Sequence, residues 1–215
     1  MSYMVDDIFS STAIDSMHCV YLGTMKQLLH LWFDKSEWKA PFSIFSEMNI
    51  VNESMHQLTP PHFTQRVPQG VDKLVHWKAS ELRSFLLYLS VCVLHDVLKP
   101  AYFENFMFLV QGIAFLNTSS ISPEDIQSST LFLKQFVQGF ENLYGRRHMS
   151  HNIHMLLHLP RSVEYLGPLW VTSCFQFEDM NGRLKRLVHG TRHAGLQICS
   201  NITVVTQLPL MVNEP

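Results

Sequence analysis

Trp77-Lys78-Ala79-Ser80-Glu81-Leu82-Arg83, carried on by Phe85, Leu86, Leu89 and Val93, places apolar residues on several faces of a helical repeat. That pattern predicts a helix buried on most sides. Pro100 is expected to close it, and a further helix follows over about 102–116. Ser122-Pro123-Glu124-Asp125 then supplies a cap, a proline at the first helical position and early acids for a helix over about 123–144. Helices in a row with short links predict an all-α module.

Working outward toward the start, Ile14, Met17, Tyr21, Met25, Leu28 and Trp32 recur at steps of three and four, one apolar stripe on a helix over about 13–33. Ser10 and Thr12 offer caps for it. The pattern over 36–58 is weaker and reads as one helix, and 59–70, with Pro60, Pro61, Pro68 and Gly70, reads as an extended connector. Toward the end, Asn152–Leu159 predicts an apolar helical segment ended by Pro160, and Gly167–Phe175 a short strand or extended stretch. Phe177–His189 predicts a polar, basic helix, and Ile198–Leu210 is strand-like or irregular.

The 215 residues suffice for one substantial domain or two small ones. Charged residues are only 16% against 47% apolar, where a soluble domain carries roughly a quarter charged. Part of the surface is therefore expected to pack against a protein partner or a missing N-terminal segment. With a net charge of -2 the chain is no polycation, so contact with nucleic acid must be local. Cys19, Cys92, Cys174 and Cys199 form no CxxC pair, which favours a reducing compartment. Met1–Asp7 lacks the order of a signal peptide, and the longest apolar run, near 85–94, is too short for a bilayer. A soluble, intracellular protein without a membrane anchor is the expectation.

Three stretches carry a resemblance: Ile14–Gly23, His76–Tyr88, and Asn152–Thr191, the last holding Asn152–Pro160, Gly167–Trp170, Ser173–Gly182 and His189–Thr191 in order. The chain resembles the transposases of CACTA (EnSpm-like) elements of the animal type, in their C-terminal part. The resemblance implies a ribonuclease-H-like core interrupted by a helical insertion, with three acids holding magnesium for DNA cleavage and strand transfer, in the nucleus. The implied fold class is mainly α, a partial ribonuclease-H-like (α/β) core around an all-α insertion. Core remnants would occupy 1–33 and 146–198, the insertion 34–145, and a tail 199–215.

Glu178 matches the family's last acid, the expected catalytic residue and Mg2+ ligand. Asp15 and His18 match an Asp-x-x-His motif that supports the site. The first acids lie upstream in the family, and Asp6 and Asp7 stand too close to Asp15 to take their place. Two-metal chemistry needs several converging carboxylates, so the expectation is a fragment with no catalysis of its own. Its ancestral role would be magnesium-dependent phosphodiester hydrolysis and transfer. The alternative is a non-enzymatic, domesticated module that binds protein or DNA.

On spacing alone, Glu178 sits on an exposed polar helix face that continues through Asn181, Lys185 and His189, flanked by Arg183 and Arg186. With Arg192 these cations could contact DNA phosphates weakly and without sequence preference. Asp15 and His18, three apart, read as a hydrogen-bonded structural pair. His148, His151, His154 and His158 form a stripe that could bind a transition ion. The bland reading makes His154 and His158 packed core histidines. Trp77, Trp170, Tyr102, Phe103, Phe106 and Phe108 are expected in the core rather than as base-stacking platforms.

Overall fold

A computed structural model describes residues 13–62, 64, 66–190 and 192–212, with 205–212 as backbone only. Ser10, Thr12, Asp6 and Asp7 lie outside the described residues. The chain divides into two compact units, Met1–Ser173 and Cys174–Pro215. Both are helical, and no strand forms among the described residues.

The first unit opens with a π-helix, Met17–Met25, that runs directly into α1 (Lys26–Phe33). Met17, Val20, Tyr21, Met25, Leu28, Leu29 and Trp32 along it are essentially inaccessible, so the sequence stripe is a core stripe. Each such side chain contributes about 1.5–3 kcal/mol by leaving water. The expected helix over 36–58 is shorter, α2 (Met48–Gln57), preceded by the 3-10 turns Lys35–Glu37 and Phe45–Glu47. Asn52 on α2 accepts from the Val71 amide at 2.7 Å, which ties the far end of the connector to the fold. The described connector residues form no helix before Val71.

The buried helix beginning near Trp77 is α3 (Ala79–Ser84), a second π-helix (Phe85–Leu89) and α4 (Ser90–Leu94) in one run. Glu81 reaches back to accept from the Lys78 amide at 2.9 Å, which fixes its start. The run ends at Leu94, and Pro100 does not close it. Pro100 instead opens α5 (Pro100–Leu116), because a proline in the first turn gives up an amide that has no helical partner anyway.

α6 (Pro123–Tyr144) occupies its predicted span. Ser122 Oγ accepts from the Asp125 amide at 3.2 Å and the Asp125 carboxylate accepts from the Ser122 amide at 2.9 Å, a reciprocal cap. Gly145, at a φ of 86°, ends the helix in a conformation other residues resist. α5 and α6 approach closely at small residues. A Cβ on Gly112 would stand 2.8 Å from Leu133, and one on Gly139 would stand 2.2 Å from Asn105 Nδ2. That amide donates to the Phe136 carbonyl at 3.0 Å, and Ser129 Oγ donates to the Gly112 carbonyl at 2.8 Å. The Asn105 Nδ2 and Ser129 Oγ donors are thereby satisfied, while Asn105 Oδ1 is buried without a hydrogen bond among the described residues.

α7 (His151–Met155), a 3-10 turn (Leu156–His158) and α8 (Leu159–Leu166) follow. Pro160 therefore lies in the first turn of a helix rather than at the end of one. Where a short strand or extended stretch was expected over Gly167–Phe175, no strand forms; the chain turns, and Phe175 already opens the next helix. Gly167 has a φ of 86°, the Leu169 amide donates to Leu116 at 3.0 Å and the Val171 amide to Pro168 at 2.9 Å. Pro168 offers no donor and the Leu169 and Val171 amides are already engaged, which works against a ladder here.

The second unit contains α9 (Phe175–Arg186) and α10 (Ala194–Val212). The strand-like expectation for 198–210 is corrected here. Its β-branched residues disfavour a helix by only a few tenths of a kcal/mol each, whereas a strand without a partner leaves its whole backbone unpaired. Gln197 and Asn201 of α10 also bond back to the link, accepting from the His189 amide at 2.9 Å and donating to the Leu187 carbonyl at 2.7 Å respectively.

In the first unit the segment near the start of the chain is held against the segment after α6. Cys19 Sγ donates to the Asn152 carbonyl, Ser16 Oγ donates to the Leu169 carbonyl at 3.1 Å, and Gln27 Nε2 donates to the His148 carbonyl at 2.6 Å. Ser150 Oγ donates to Gln27 Oε1 at 2.7 Å while also capping α7. Trp32 Nε1 donates to Tyr144 Oη at 2.9 Å. Gly23 is a close approach within this contact: a Cβ there would lie 2.5 Å from Asn152 Cγ and 2.7 Å from the His18 carbonyl. In an ordinary helix, Gly→Ala stabilises by roughly 0.5–1 kcal/mol. Gly23→Ala is expected to destabilise instead, by about 1–3 kcal/mol. Chemical denaturation measures this, and a gain in stability would show that the contact is loose.

Candidate functional site

Asp15 stands where the chain enters the π-helix. Its Oδ1 accepts from the Met17 amide at 3.0 Å and its Oδ2 from the His18 amide at 3.2 Å. The same carboxylate bonds His18 Nδ1. Asp15 thus caps this helix start, and it bonds the imidazole as the spacing predicted. The Asp15 side chain is largely covered at 19% exposure, while His18 is 58% exposed. The motif therefore presents a ring to solvent on a carboxylate stem. Cys19 beside it is no nucleophile: burial first, and the Asp15 charge second, push its thiol up to about 12.

Glu178 lies in the first turn of α9 and is exposed, as the reading of that helix required. No residue of α9 is buried. Its neighbour Asp179 forms an ion pair with Arg183 at 2.8 Å, one turn on. Two-metal chemistry requires several carboxylates converging on ions about 4 Å apart. Among the described residues of this unit Glu178 and Asp179 are the only acids, and the second is committed to Arg183. Asp15 is committed to two amides and an imidazole. Neither set fits a two-magnesium centre by itself, and no catalytic step follows from them.

The basic face is smaller than its sequence. Arg183 is neutralised by Asp179, leaving Lys185 and Arg186 in the last turn. The helix ends at Arg186, so His189 is not on the face that carries Glu178, Asn181 and Lys185 but in the link to α10. Arg192 lies in the same link, where Gln197 Nε2 donates to its carbonyl at 2.8 Å. His189 and Arg192 are exposed, so the cations sit partly on helix and partly on a pinned loop.

The histidine stripe is broken. His148 belongs to a 3-10 turn, half-buried, with its ring edge-on to Phe42 at 5.7 Å. Burial and then the Arg147 charge lower its pKa, consistent with the Arg147 Nε donating to its Nε2 at 2.8 Å. His154 and His158 are exposed, contrary to the expectation of core histidines, because Ile153, Leu156 and Leu159 take the buried side of that segment. Their Nε2 atoms are 3.3 Å apart. Of the aromatic residues, Trp77, Tyr102 and Phe106 are buried as predicted and Phe103 and Phe108 are partly covered, while Trp170 remains 45% exposed.

No family model, curated protein or solved structure matches the chain. Among the described residues no helix is long and apolar enough to cross a membrane.

The double role of Asp15 sets an order of effects. Asp15→Ala removes a cap and is expected to cost about 0.5–2 kcal/mol. His18→Ala removes only an exposed partner and is expected to cost less than half as much, read by denaturant midpoint shifts. Equal losses would mean that the ion pair, rather than the cap, holds the helix start.

Proposed function

We propose that the chain derives from a CACTA-type transposase, with residues 1–33 and 146–198 as remnants of a ribonuclease-H-like core around a helical insertion over 34–145. The observation that carries this reading is the meeting of the resembling stretches. Ile14–Gly23 touches the third stretch through Cys19 to Asn152, Ser16 to Leu169, and Gly23 against Asn152. The second stretch supplies α3, which packs against the same π-helix. Residues far apart in sequence are brought together as parts of an interrupted core would be.

In this reading Glu178 is the last acid of an ancestral, magnesium-dependent site for hydrolysis and transfer of DNA phosphodiesters, in the nucleus. Asp15 and His18 support the start of the core helix that carries them. The chain by itself is inactive, because the acids around Glu178 do not converge. Its remaining contact with nucleic acid is electrostatic, through Lys185, Arg186, Arg192 and, when protonated, His189. A second reading, a domesticated module for protein contact, is favoured by Phe177 and Met180, which α9 leaves 64% and 61% exposed.

Purified protein with Mg2+ or Mn2+ is expected neither to nick nor to join DNA bearing candidate element ends. Metal-dependent cleavage abolished by Glu178→Gln would overturn the inert assignment.

Binding to duplex DNA is expected to be weak, indifferent to sequence and steeply lost with salt. Lys185→Ala with Arg186→Ala should weaken it on all duplexes alike and reduce the salt slope by about 2. Asp179→Ala, by releasing Arg183, should strengthen it. If the wild-type protein shows no salt-sensitive binding at low ionic strength, the face is only solvated and the protein-contact reading stands.

A further inference from the structure

We infer that His154 and His158 form a two-imidazole site for a borderline divalent transition ion, Zn2+ being the reference case. The inference is independent of the transposase reading. The two Nε2 atoms face each other at 3.3 Å, with the ring planes inclined at 69° and the centroids 5.1 Å apart. Zinc holds imidazole nitrogens at about 2.0–2.1 Å in tetrahedral geometry, which requires two such nitrogens to stand about 3.3–3.4 Å apart. A right-angled pair, as in square-planar or octahedral coordination, would require only about 2.9 Å at the same bond lengths. The observed separation matches the tetrahedral bite.

The pair is held before any ion arrives. The residues between the histidines turn from α7 into the 3-10 segment, and Ile153, Leu156 and Leu159 anchor the opposite side in the core. Ser150 caps the start of α7 through the Ile153 amide at 3.3 Å. Both rings are exposed, so an ion reaches them directly from solvent. Without metal, one neutral imidazole can donate its Nε2 proton to the other. Bound metal takes the place of that shared proton, and the donor ring carries its proton on Nδ1 instead. Among the described residues no third His, Cys, Asp or Glu completes a set with this pair within 4.8 Å. The remaining coordination positions therefore belong to water or to an external ligand, as in sites that keep zinc open.

Calorimetric titration of the whole chain with Zn2+, joined to 15N spectra of the histidine side chains, tests the site. One ion per chain is expected, with ligation shifts at Nε2 of His154 and His158. His154→Ala and His158→Ala should each weaken binding at least about tenfold, or about 1.4 kcal/mol, while His151→Ala leaves it unchanged. Circular dichroism checks that the variants fold; should an alanine variant fail to, His154→Gln and His158→Gln keep a polar tip and give the same readout. The inference is overturned if the wild-type chain binds no Zn2+, if the double variant binds as tightly as the wild type, or if the shifts appear on other imidazoles.

Discussion

The first unit depends on the closing of residues 14–33 onto 148–169. That contact is made at a place with no room to spare, since the glycine at 23 leaves only enough space for the Asn152 side chain and the His18 carbonyl. Around this point the polar bonds are mostly side chain to backbone: Ser16 to Leu169, Cys19 to Asn152, Gln27 to His148. Such bonds fix register, while the buried stripe from Met17 to Trp32 supplies most of the stabilisation. The wide turns of the π-helix belong to the same constraint. Thr24 Oγ1 donates to the Cys19 carbonyl at 3.2 Å, five residues back, the spacing of one π-turn.

Local signals were legible where a residue acts on its own backbone. Ser122, Pro123 and the early acids marked the start of α6, and the helical stripe marked the core face from Met17 to Trp32. Prolines misled because the same residue ends one helix and begins another; Pro100 and Pro160 both begin one. Residues 198–210 misled because β-branched composition was weighed without knowing that no strand would lie beside them. The mainly helical class was thus readable, while the strands implied by the resemblance have no counterpart among the described residues.

The site residues divide along similar lines. Asp15 and His18 were found by spacing, since neighbours on one turn meet regardless of the tertiary fold. That Asp15 also caps the helix start depends on where the helix begins, which the periodicity alone does not fix. The cations of α9 are legible in the sequence, whereas the pairing of Arg183 with Asp179, one turn before it, depends on which rotamers the two side chains adopt. The exposure of His154 and His158 was not readable, because an apolar segment flanked by histidines does not say which side faces inward.

The closing contact also determines when this protein can fold as it is made. The Ser16 to Leu169 bond joins residues 153 positions apart, and that between Trp32 and Tyr144 joins residues 112 apart. During synthesis the α5–α6 hairpin can pair as soon as α6 leaves the ribosome, because its contacts are local. The helix bearing Met17, Val20, Leu28 and Trp32 meets α3 first, and the side that faces residues near 152 and 169 must wait, uncovered, until they emerge. At roughly 5–20 residues per second this interval lasts several seconds or more. It is a period in which that face is available to chaperones or to another nascent chain.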